Sequence, residues 1–218
     1  MGQGQKKARK AHLVSLGCAK NLVDSERLLG LLGRLGFAPT EAAEEADLLL
    51  VNTCAFIGSA VEESVEAILE LANLRKPGAK LAVAGCLPAR DKLALAKGLP
   101  EADLLVGRAE YHKLPSLLAG LFGQRPLRPQ GPFEAWERRA SGPAFRAYLK
   151  VAEGCDRRCS YCVIPFLRGP LSARPLNELM AEAEGLVRAG ALELTLVAQD
   201  LTAWTDRDLG LGDLVESL

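Results

Sequence analysis

The sequence predicts an α/β fold with a parallel sheet, and three observations support this prediction. Apolar runs alternate with helix-like segments through residues 11–123. The apolar runs are continuous, which is typical of strands that are buried on both faces. Glycine or proline follows the helix-like segments, as at Gly36 and at Pro77-Gly78. Each unit therefore consists of a strand, a helix and a return to the next parallel strand.

The first unit is predicted to contain strands at Ala11–Leu16, Asp47–Val51, Lys80–Ala84 and Asp103–Val106. A helix is predicted after the first strand, with Asn21 as its N-cap and Gly36 just past its end. Its apolar side chains recur on one helical face, at Leu28, Leu29, Leu32 and Leu35. Ser59 and Glu62 form a predicted capping box for the second helix. The third helix is expected to start at Pro88.

A stretch rich in proline, glycine and arginine, Gln124–Pro143, is predicted to be a linker. After it we predict a strand at Phe145–Val151, a helix at Asn177–Ala189, a strand at Glu193–Ala198 and the start of another helix. Two parallel strands with one crossover helix are too few for a stable domain, so we expect a fragment of a longer protein. The predicted organisation is a disordered tail at 1–10, an α/β domain at 11–123, the linker at 124–143 and a truncated α/β domain at 144–218.

The composition restricts the classes of function. Lysine plus arginine and aspartate plus glutamate both number 27, so the formal charge is zero, which argues against an electrostatic grip on nucleic acid over the whole surface. No apolar run approaches the ~18 residues of a membrane span, and the stretch after the basic N-terminus is too short for a signal peptide. We therefore expect a cytoplasmic protein, whose six cysteines serve metal binding or catalysis rather than disulfides.

Cys155, Cys159 and Cys162 have the spacing C-x3-C-x2-C immediately after a predicted strand. Thiolates are the usual protein ligands of iron–sulfur clusters, and three of them leave one iron of a cubane cluster open. An open position is a place for a substrate-like ligand. The alternative is a structural zinc site, which needs a fourth ligand. The only histidines, His12 and His112, are far away in the sequence.

Cys18, Cys54 and Cys86 are far apart along the chain, but each follows an apolar run. Because the carboxyl ends of parallel strands share one edge of a sheet, these three cysteines are predicted to converge and to hold a second cluster, again one ligand short. The alternative is that they are small buried hydrophobic residues of the core. The division of six cysteines into two sets of three favours the cluster.

The C-x3-C-x2-C motif, with Tyr161 just before its last cysteine, resembles the radical S-adenosylmethionine (SAM) superfamily. Three further motifs resemble the methylthiotransferase branch of it: Ile164-Pro165, Arg168-Gly169 and Ser172-Ala173-Arg174. Ala173 is a departure, since the serine and arginine are usually adjacent. Three strings resemble the N-terminal domain of that branch: SLGCAKNLVDSE (Ser15–Glu26), NTCAFI (Asn52–Ile57) and AGC (Ala84–Cys86). The resemblance covers nearly the whole chain after residue 10, and it implies that residues 144–218 begin a radical SAM partial (βα) barrel.

Some members of the branch modify tRNA adenosines, and others modify an aspartate of a small-subunit ribosomal protein. The string around Cys18 resembles the ribosomal type, although Ala19 replaces the usual proline. Gln199-Asp200 also resembles the ribosomal type, because the tRNA enzymes tend to carry Gln-Asn there. The ribosomal type is therefore favoured, and a tRNA adenosine methylthiotransferase is the alternative.

The resemblance implies two 4Fe–4S clusters and SAM as cofactors. The cluster on Cys155, Cys159 and Cys162 would bind and reduce SAM, and the released 5′-deoxyadenosyl radical would take a hydrogen from the β-carbon of the aspartate. The cluster on Cys18, Cys54 and Cys86 would supply the methylthio sulfur, whose methyl group comes from a second SAM. The implied partners are the ribosomal protein and an electron donor such as flavodoxin or ferredoxin, with nucleic acid only in the tRNA alternative.

Two further residues are candidates for cofactor binding. Tyr161 is predicted either to lie against the adenine of SAM or to shield the cluster. Gln199 follows the second strand of the predicted barrel at its carboxyl end, where barrel enzymes keep functional residues, so we expect it to contact SAM or substrate.

For several charged residues the sequence allows more than one role. Asp24 and Glu26 are either charges favoured in the first turn of a helix or site residues. A basic group near the linker is expected to be solvated surface: Arg138, Arg139 and Arg146. Functions of another class are a non-catalytic iron–sulfur electron carrier, which would need eight cysteines for two full clusters, and a zinc-binding interaction module. The chain is expected to be inactive by itself.

Overall fold

The computed structural model describes residues 8–123, 138–139, 141–143 and 145–218. Its larger sheet has five parallel strands in the order β2-β1-β3-β4-β5. They are β1 at Arg9–Ser15, β2 at Phe37–Pro39, β3 at Leu48–Thr53, β4 at Lys80–Gly85 and β5 at Leu104–Gly107. The predicted α/β fold with a parallel sheet is confirmed.

Helices cover both faces of this sheet: α1 at Ala19–Arg34, α2 at Gly58–Leu74, α3 at Cys86–Gly98 and α4 at Leu114–Leu121. On one face, Leu49 and Val51 of β3 pack in one core with side chains of α2 and α3. On the other face, Leu48 and Leu50 pack in a second core with side chains of α1 and α4. Because successive residues of β3 fill opposite cores, every residue of this strand is buried, and the apolar run is continuous.

The predicted helix starts are wrong at three places. Asn21 is not an N-cap: α1 begins at Ala19, with Cys18 in the cap position. Ser59 lies inside α2, whose cap position holds Ile57 without a side-chain cap, and α3 begins at Cys86 rather than at Pro88. The predicted glycine just past the first helix is confirmed, since Gly36 has a positive φ of 85° directly after the last turn.

The predicted strands agree with the observed ones to within a few residues, and two differences have clear causes. The sequence did not reveal β2, because three residues that pair only with β1 are too short to form an apolar run. β1 starts at Arg9, inside the predicted disordered tail, because Arg9 and Lys10 pair with Phe37 and Ala38 of β2. The first seven residues lie outside the described part of the chain.

The second unit contains two small sheets. Strands β6 (Arg146–Lys150) and β9 (Glu193–Val197) are parallel, and β7 (Ala152–Glu153) is antiparallel to β8 (Ser172–Ala173). Its helices are α5 at Ile164–Arg168, α6 at Leu176–Arg188 and α7 at Leu211–Ser217. Trp204 is fully buried at the centre of its core, and its indole nitrogen donates to the Arg174 carbonyl at 3.0 Å. The predicted strand, crossover helix and parallel strand are therefore present.

The described residues of the predicted linker Gln124–Pro143 are 138–139 and 141–143, and the rest of it lies outside the described part. Arg138 is 8% exposed, so the prediction that it is solvated surface is wrong. It is buried because its guanidinium pairs with Glu26 of α1 and Glu182 of α6. Arg139 and Arg146 are exposed, as predicted. Across the described residues, we find no helix that is both long and apolar enough to cross a membrane.

Candidate functional site

Cys18, Cys54 and Cys86 follow the ends of β1, β3 and β4, which are neighbours in the sheet. The register pairs Thr53 of β3 with Gly85 of β4, so Cys54 and Cys86 come directly after paired residues. Burial raises the pKa of the Cys86 thiol, although the charge and hydrogen bond of Arg168 act in the opposite direction. The structure therefore brings these three cysteines to one edge of the sheet.

The chain at this edge is packed too tightly for any residue but glycine at two positions. Gly17 has a φ of 89°, and a Cβ there would lie 2.6 Å from the Cβ of Cys54 and 2.8 Å from its sulfur. Gly85 has a φ of 101°, and its Cβ would lie 2.5 Å from the Thr53 carbonyl oxygen. Glycine next to a cysteine thus lets the loop before Cys18 and the end of β4 before Cys86 approach the end of β3.

Buried polar side chains fix the loops that carry the cysteines. The Asn21 amide donates to the carbonyl oxygens of Leu16 at 2.6 Å and Asn52 at 3.1 Å. The Ser64 hydroxyl donates to the carbonyl oxygen of Cys54 at 2.9 Å and accepts its backbone N–H at 3.2 Å. These bonds satisfy backbone groups at the strand ends, so the positions of the cysteines are set by β3, α1 and α2 together.

Cys155, Cys159 and Cys162 lie on the loop between β7 and α5. The backbone N–H of Cys155 donates to the Gly169 carbonyl at 3.1 Å, and that of Cys162 donates to the Cys159 carbonyl at 3.0 Å. Gly154 has a φ of 73°, and a Cβ there would lie 2.0 Å from the Pro170 carbonyl oxygen. The loop is therefore closed against the chain that follows α5.

The two sets share one pattern of exposure. Cys86 and Cys155 are buried, Cys54 and Cys162 are half-buried, and Cys18 and Cys159 are exposed. All six are free thiols. Each set therefore extends from the interior to the surface, where a cofactor and a substrate could reach it.

No three His, Cys, Asp or Glu side chains in the described part of the chain converge closely enough to hold a single metal ion. The thiolates of a cubane cluster bind different irons, so they are spaced more widely than the ligands of one ion. The histidines are engaged elsewhere: His12 contacts the Thr40 carbonyl through its Nδ1 at 3.0 Å, and His112 is exposed on a short 3-10 helix. The two histidines are therefore placed away from both sets of thiols.

A buried group of charged residues lies between the two cysteine sets. Asp24 of α1 is 3% exposed and pairs with Lys150, Arg108 and Arg168. Glu153, two residues before Cys155, pairs with the same three cations. Burial alone would raise the pKa of Asp24, but the attraction of the cations outweighs it, so the pKa is well below its usual range. Asp24 is therefore a buried ion-pair residue rather than a charge in a solvated helix turn.

A second buried group of charges joins α1 to α6 and to the end of the predicted linker. Glu182 of α6 is fully buried and pairs with Arg27, Arg138 and Arg174. Glu26 accepts the backbone N–H of Ser141 at 2.7 Å. Sequence reasoning missed most of these residues, because their partners are distant along the chain and a charged residue by itself does not signal burial.

The two predicted cofactor-binding residues lie in different surroundings. Tyr161 is 88% exposed beside Cys162. Gln199, just past β9, donates from its amide nitrogen to Glu153 at 2.8 Å. The amide oxygen of Gln199 is buried and has no hydrogen-bond partner in the described structure. Gln199 is thus linked through Glu153 to the start of the loop that carries Cys155.

Comparison with known proteins identifies relatives along nearly the whole chain. Residues 10–107 match the family described as Uncharacterized protein family UPF0004. The chain is 48% identical over 204 residues to the ribosomal protein uS12 methylthiotransferase RimO of Trichlorobacter lovleyi, which covers 90% of this chain and 45% of the relative. It is 48% identical over 211 residues to that of Desulfotalea psychrophila, covering 92% of this chain and 47% of the relative.

A third relative, from Pelobacter propionicus, has the same name and is 44% identical over 218 residues, covering 96% of this chain and 48% of the relative. The chain thus spans about half the length of the curated relatives it matches. These alignments extend over at least nine-tenths of the chain. The chain is therefore similar over nearly its whole length to proteins named as uS12 methylthiotransferases, and residues 10–107 are similar to the UPF0004 family.

Proposed function

We propose that this chain is part of a radical SAM methylthiotransferase that adds a methylthio group to the β-carbon of an aspartate in ribosomal protein uS12. One observation carries the proposal: the fold collects six free thiols into two sets of three, on either side of one buried group of charges. Identity of 44–48% to proteins named for uS12 supports the substrate. Residues 11–123 would form the methylthiotransferase domain, and residues 144–218 the start of the radical SAM domain.

We infer that Cys18, Cys54 and Cys86 hold one 4Fe–4S cluster and that Cys155, Cys159 and Cys162 hold the other. When bound, these groups supply reductive cleavage of SAM and the sulfur for insertion. The free thiols fit such groups, since thiolates are their usual ligands and three per set leave a coordination position open. Reduced thiols also suit the cytoplasm as the location.

The chain's own residues would hold and shield the reacting groups. Cys86 and Cys155 are buried, so the inner part of each set is kept from water. Gln199 would bind SAM or substrate with its unpaired amide oxygen, because its amide nitrogen is already held by Glu153. Tyr161, exposed beside Cys162, would lie against the adenine of SAM. An electron donor such as flavodoxin or ferredoxin would supply the reducing electrons.

The test of the site is anaerobic reconstitution of the chain, followed by iron and sulfide counting. Two triple variants are compared, one with Cys18, Cys54 and Cys86 changed to alanine, and one with Cys155, Cys159 and Cys162 changed to alanine. Each variant should lose about half of the iron. If the first variant keeps the iron content of the unchanged chain, the cluster on Cys18, Cys54 and Cys86 does not exist, and the proposal of sulfur insertion at this sheet edge is wrong.

The test of the substrate uses the reconstituted full-length protein, of which this chain is proposed to be part, with SAM, a reductant and either uS12 or tRNA. Mass spectrometry should find the methylthio group on an aspartate of uS12 and not on tRNA. The tRNA alternative predicts the opposite result, together with tRNA binding that weakens steeply as salt is raised.

A further inference from the structure

Arg168, the last residue of α5, lies between the two cysteine sets. Its side chain is 2% exposed. One end of the guanidinium, Nη1, donates to Glu153 at 3.0 Å and to Asp24 at 3.3 Å. The other end, Nη2, faces the sulfur of Cys86 at 3.5 Å and Oδ1 of Asn21 at 3.4 Å. A cation of the second unit is thus held against a cysteine of the first unit.

The next residue contacts the other set of cysteines. The carbonyl oxygen of Gly169 accepts the backbone N–H of Cys155 at 3.1 Å. Gly169 has a φ of 77°, so the chain turns sharply there. The dipeptide Arg168-Gly169 therefore touches the buried cysteine of each set, one through its side chain and the other through its backbone.

The charges around Arg168 are arranged so that it can stabilise a thiolate. Asp24 and Glu153 form ion pairs with Lys150 and Arg108 as well as with Arg168. With its Nη1 end bound to these acids, the guanidinium is held in one orientation, and Nη2 is directed at the sulfur. Arginine suits this role because its planar fork of donors binds several partners in fixed directions.

We propose that Arg168 is a positioning residue for Cys86: it donates to the thiolate and raises the reduction potential of the cluster on Cys18, Cys54 and Cys86. This inference rests on the proposed clusters. Reduction adds negative charge to a cluster, and a hydrogen bond to a ligand sulfur from a cation stabilises the more negative state. Since the donor comes from the second unit, the potential of the first cluster depends on the docking of the two units.

The rival explanation is that Arg168 serves only to dock the two units through its ion pairs. Arg108 separates the two explanations, because it pairs with the same acids, Asp24 and Glu153, and the structure gives it no hydrogen bond to a cysteine. A purely docking role predicts similar effects of Arg168→Gln and Arg108→Gln. A role at the Cys86 thiolate predicts an effect of Arg168→Gln alone.

The experiment uses the chain with Cys155, Cys159 and Cys162 changed to alanine, so that only the cluster on the first set is observed. After anaerobic reconstitution, the midpoint potential is measured by a redox titration followed by electron paramagnetic resonance. Arg168→Gln should lower the equilibrium constant for reduction about tenfold, which corresponds to a fall of the midpoint potential by ~59 mV for one electron. Arg168→Lys, which keeps the charge but loses the fork, should shift it less, and Arg108→Gln should change it at most about twofold.

Iron content and circular dichroism are recorded for each variant, so that a folding defect is recognised. If Arg168→Gln does not fold, Arg168→Lys decides, since its shift must still exceed that of Arg108→Gln. Equal shifts in the Arg168 and Arg108 variants, or an unchanged potential at full iron content, would overturn the inference. Absence of any cluster in the parent chain would instead contradict the proposed function.

Discussion

The two cysteine sets differ in how their geometry is produced. Cys155, Cys159 and Cys162 lie on one loop. A backbone hydrogen bond from Cys155 to the Gly169 carbonyl closes this loop. Cys18, Cys54 and Cys86 meet only because β1, β3 and β4 are adjacent and parallel. The first kind of site depends on local backbone geometry, and the second depends on the whole sheet. A change that distorts one kind of site should therefore leave the other intact, whereas a change between them should affect both.

The largest effect is expected for Asp24→Asn, at the buried charges between the two sets. The substitution removes the negative charge that Lys150, Arg108 and Arg168 share, and the remaining buried cations are costly without it. The free energy of unfolding, measured with urea at neutral pH, should fall by about 3–5 kcal/mol.

Asp47→Asn is the control for that substitution, because Asp47 pairs with Lys76 where both side chains are about a third exposed. Its cost should be about 1 kcal/mol or less. If the two substitutions cost the same, the charges between the units do not hold them together.

A smaller effect, about 2–3 kcal/mol, is expected for alanine at two of the three glycines that directly precede cysteines. Gly154→Ala would place a Cβ 2.0 Å from the Pro170 carbonyl oxygen, and Gly17→Ala would place one 2.6 Å from the Cβ of Cys54. After reconstitution, Gly154→Ala should lose the iron of the second set only. Gly17→Ala should lose the iron of the first set only.

One control serves both glycines. Gly36 has a φ of 85°, and a Cβ there would meet nothing within 4 Å. Alanine there should cost about 1 kcal/mol from the positive φ and should leave the iron content unchanged. Loss of all iron in Gly17→Ala or Gly154→Ala would contradict the independence of the two sets.

The smallest effect is expected at the amino end of the sheet, opposite the cysteines. Asp103 accepts the Leu81 backbone N–H at 2.8 Å and pairs with Arg75 and Lys80. Burial would raise its pKa, but these hydrogen bonds and charges lower it on balance. The stabilisation is therefore complete above the unfolded-state pKa of about 4 and is lost as the pH falls through the lower folded-state pKa.

Asp103→Asn should cost about 1 kcal/mol at pH 7, and its difference from the unchanged chain should shrink below about pH 4. Urea unfolding between pH 7 and pH 3 measures this difference. The iron content should stay the same, because Asp103 lies at the far end of the strands. A constant difference over this pH range would mean that the Asp103 carboxylate is not the stabilising group.

Much of the fold could be predicted, because periodicity and burial are local properties of the sequence. The continuous apolar runs identified β1, β3, β4 and β5, and the spacing of Cys155, Cys159 and Cys162 identified their loop. The role of Asn21 could not be predicted, because an N-cap and a buried amide have the same sequence signal. The Asn21 amide donates a hydrogen bond to the Asn52 carbonyl, and only the tertiary structure of the sheet brings Asn52 close to Asn21.

The sequence by itself determined which residue types are available for chemistry: six cysteines in two sets, in an alternation of strands and helices. The tertiary structure alone decided which charges are buried and which cysteine receives a cation. The sequence gives no signal of burial for Asp24, Lys150 and Arg168, and Arg138 was predicted to be solvated surface, yet all four are nine-tenths buried or more. The physical reason is that a charge is buried only where opposite charges surround it, and here those charges come from distant parts of the chain.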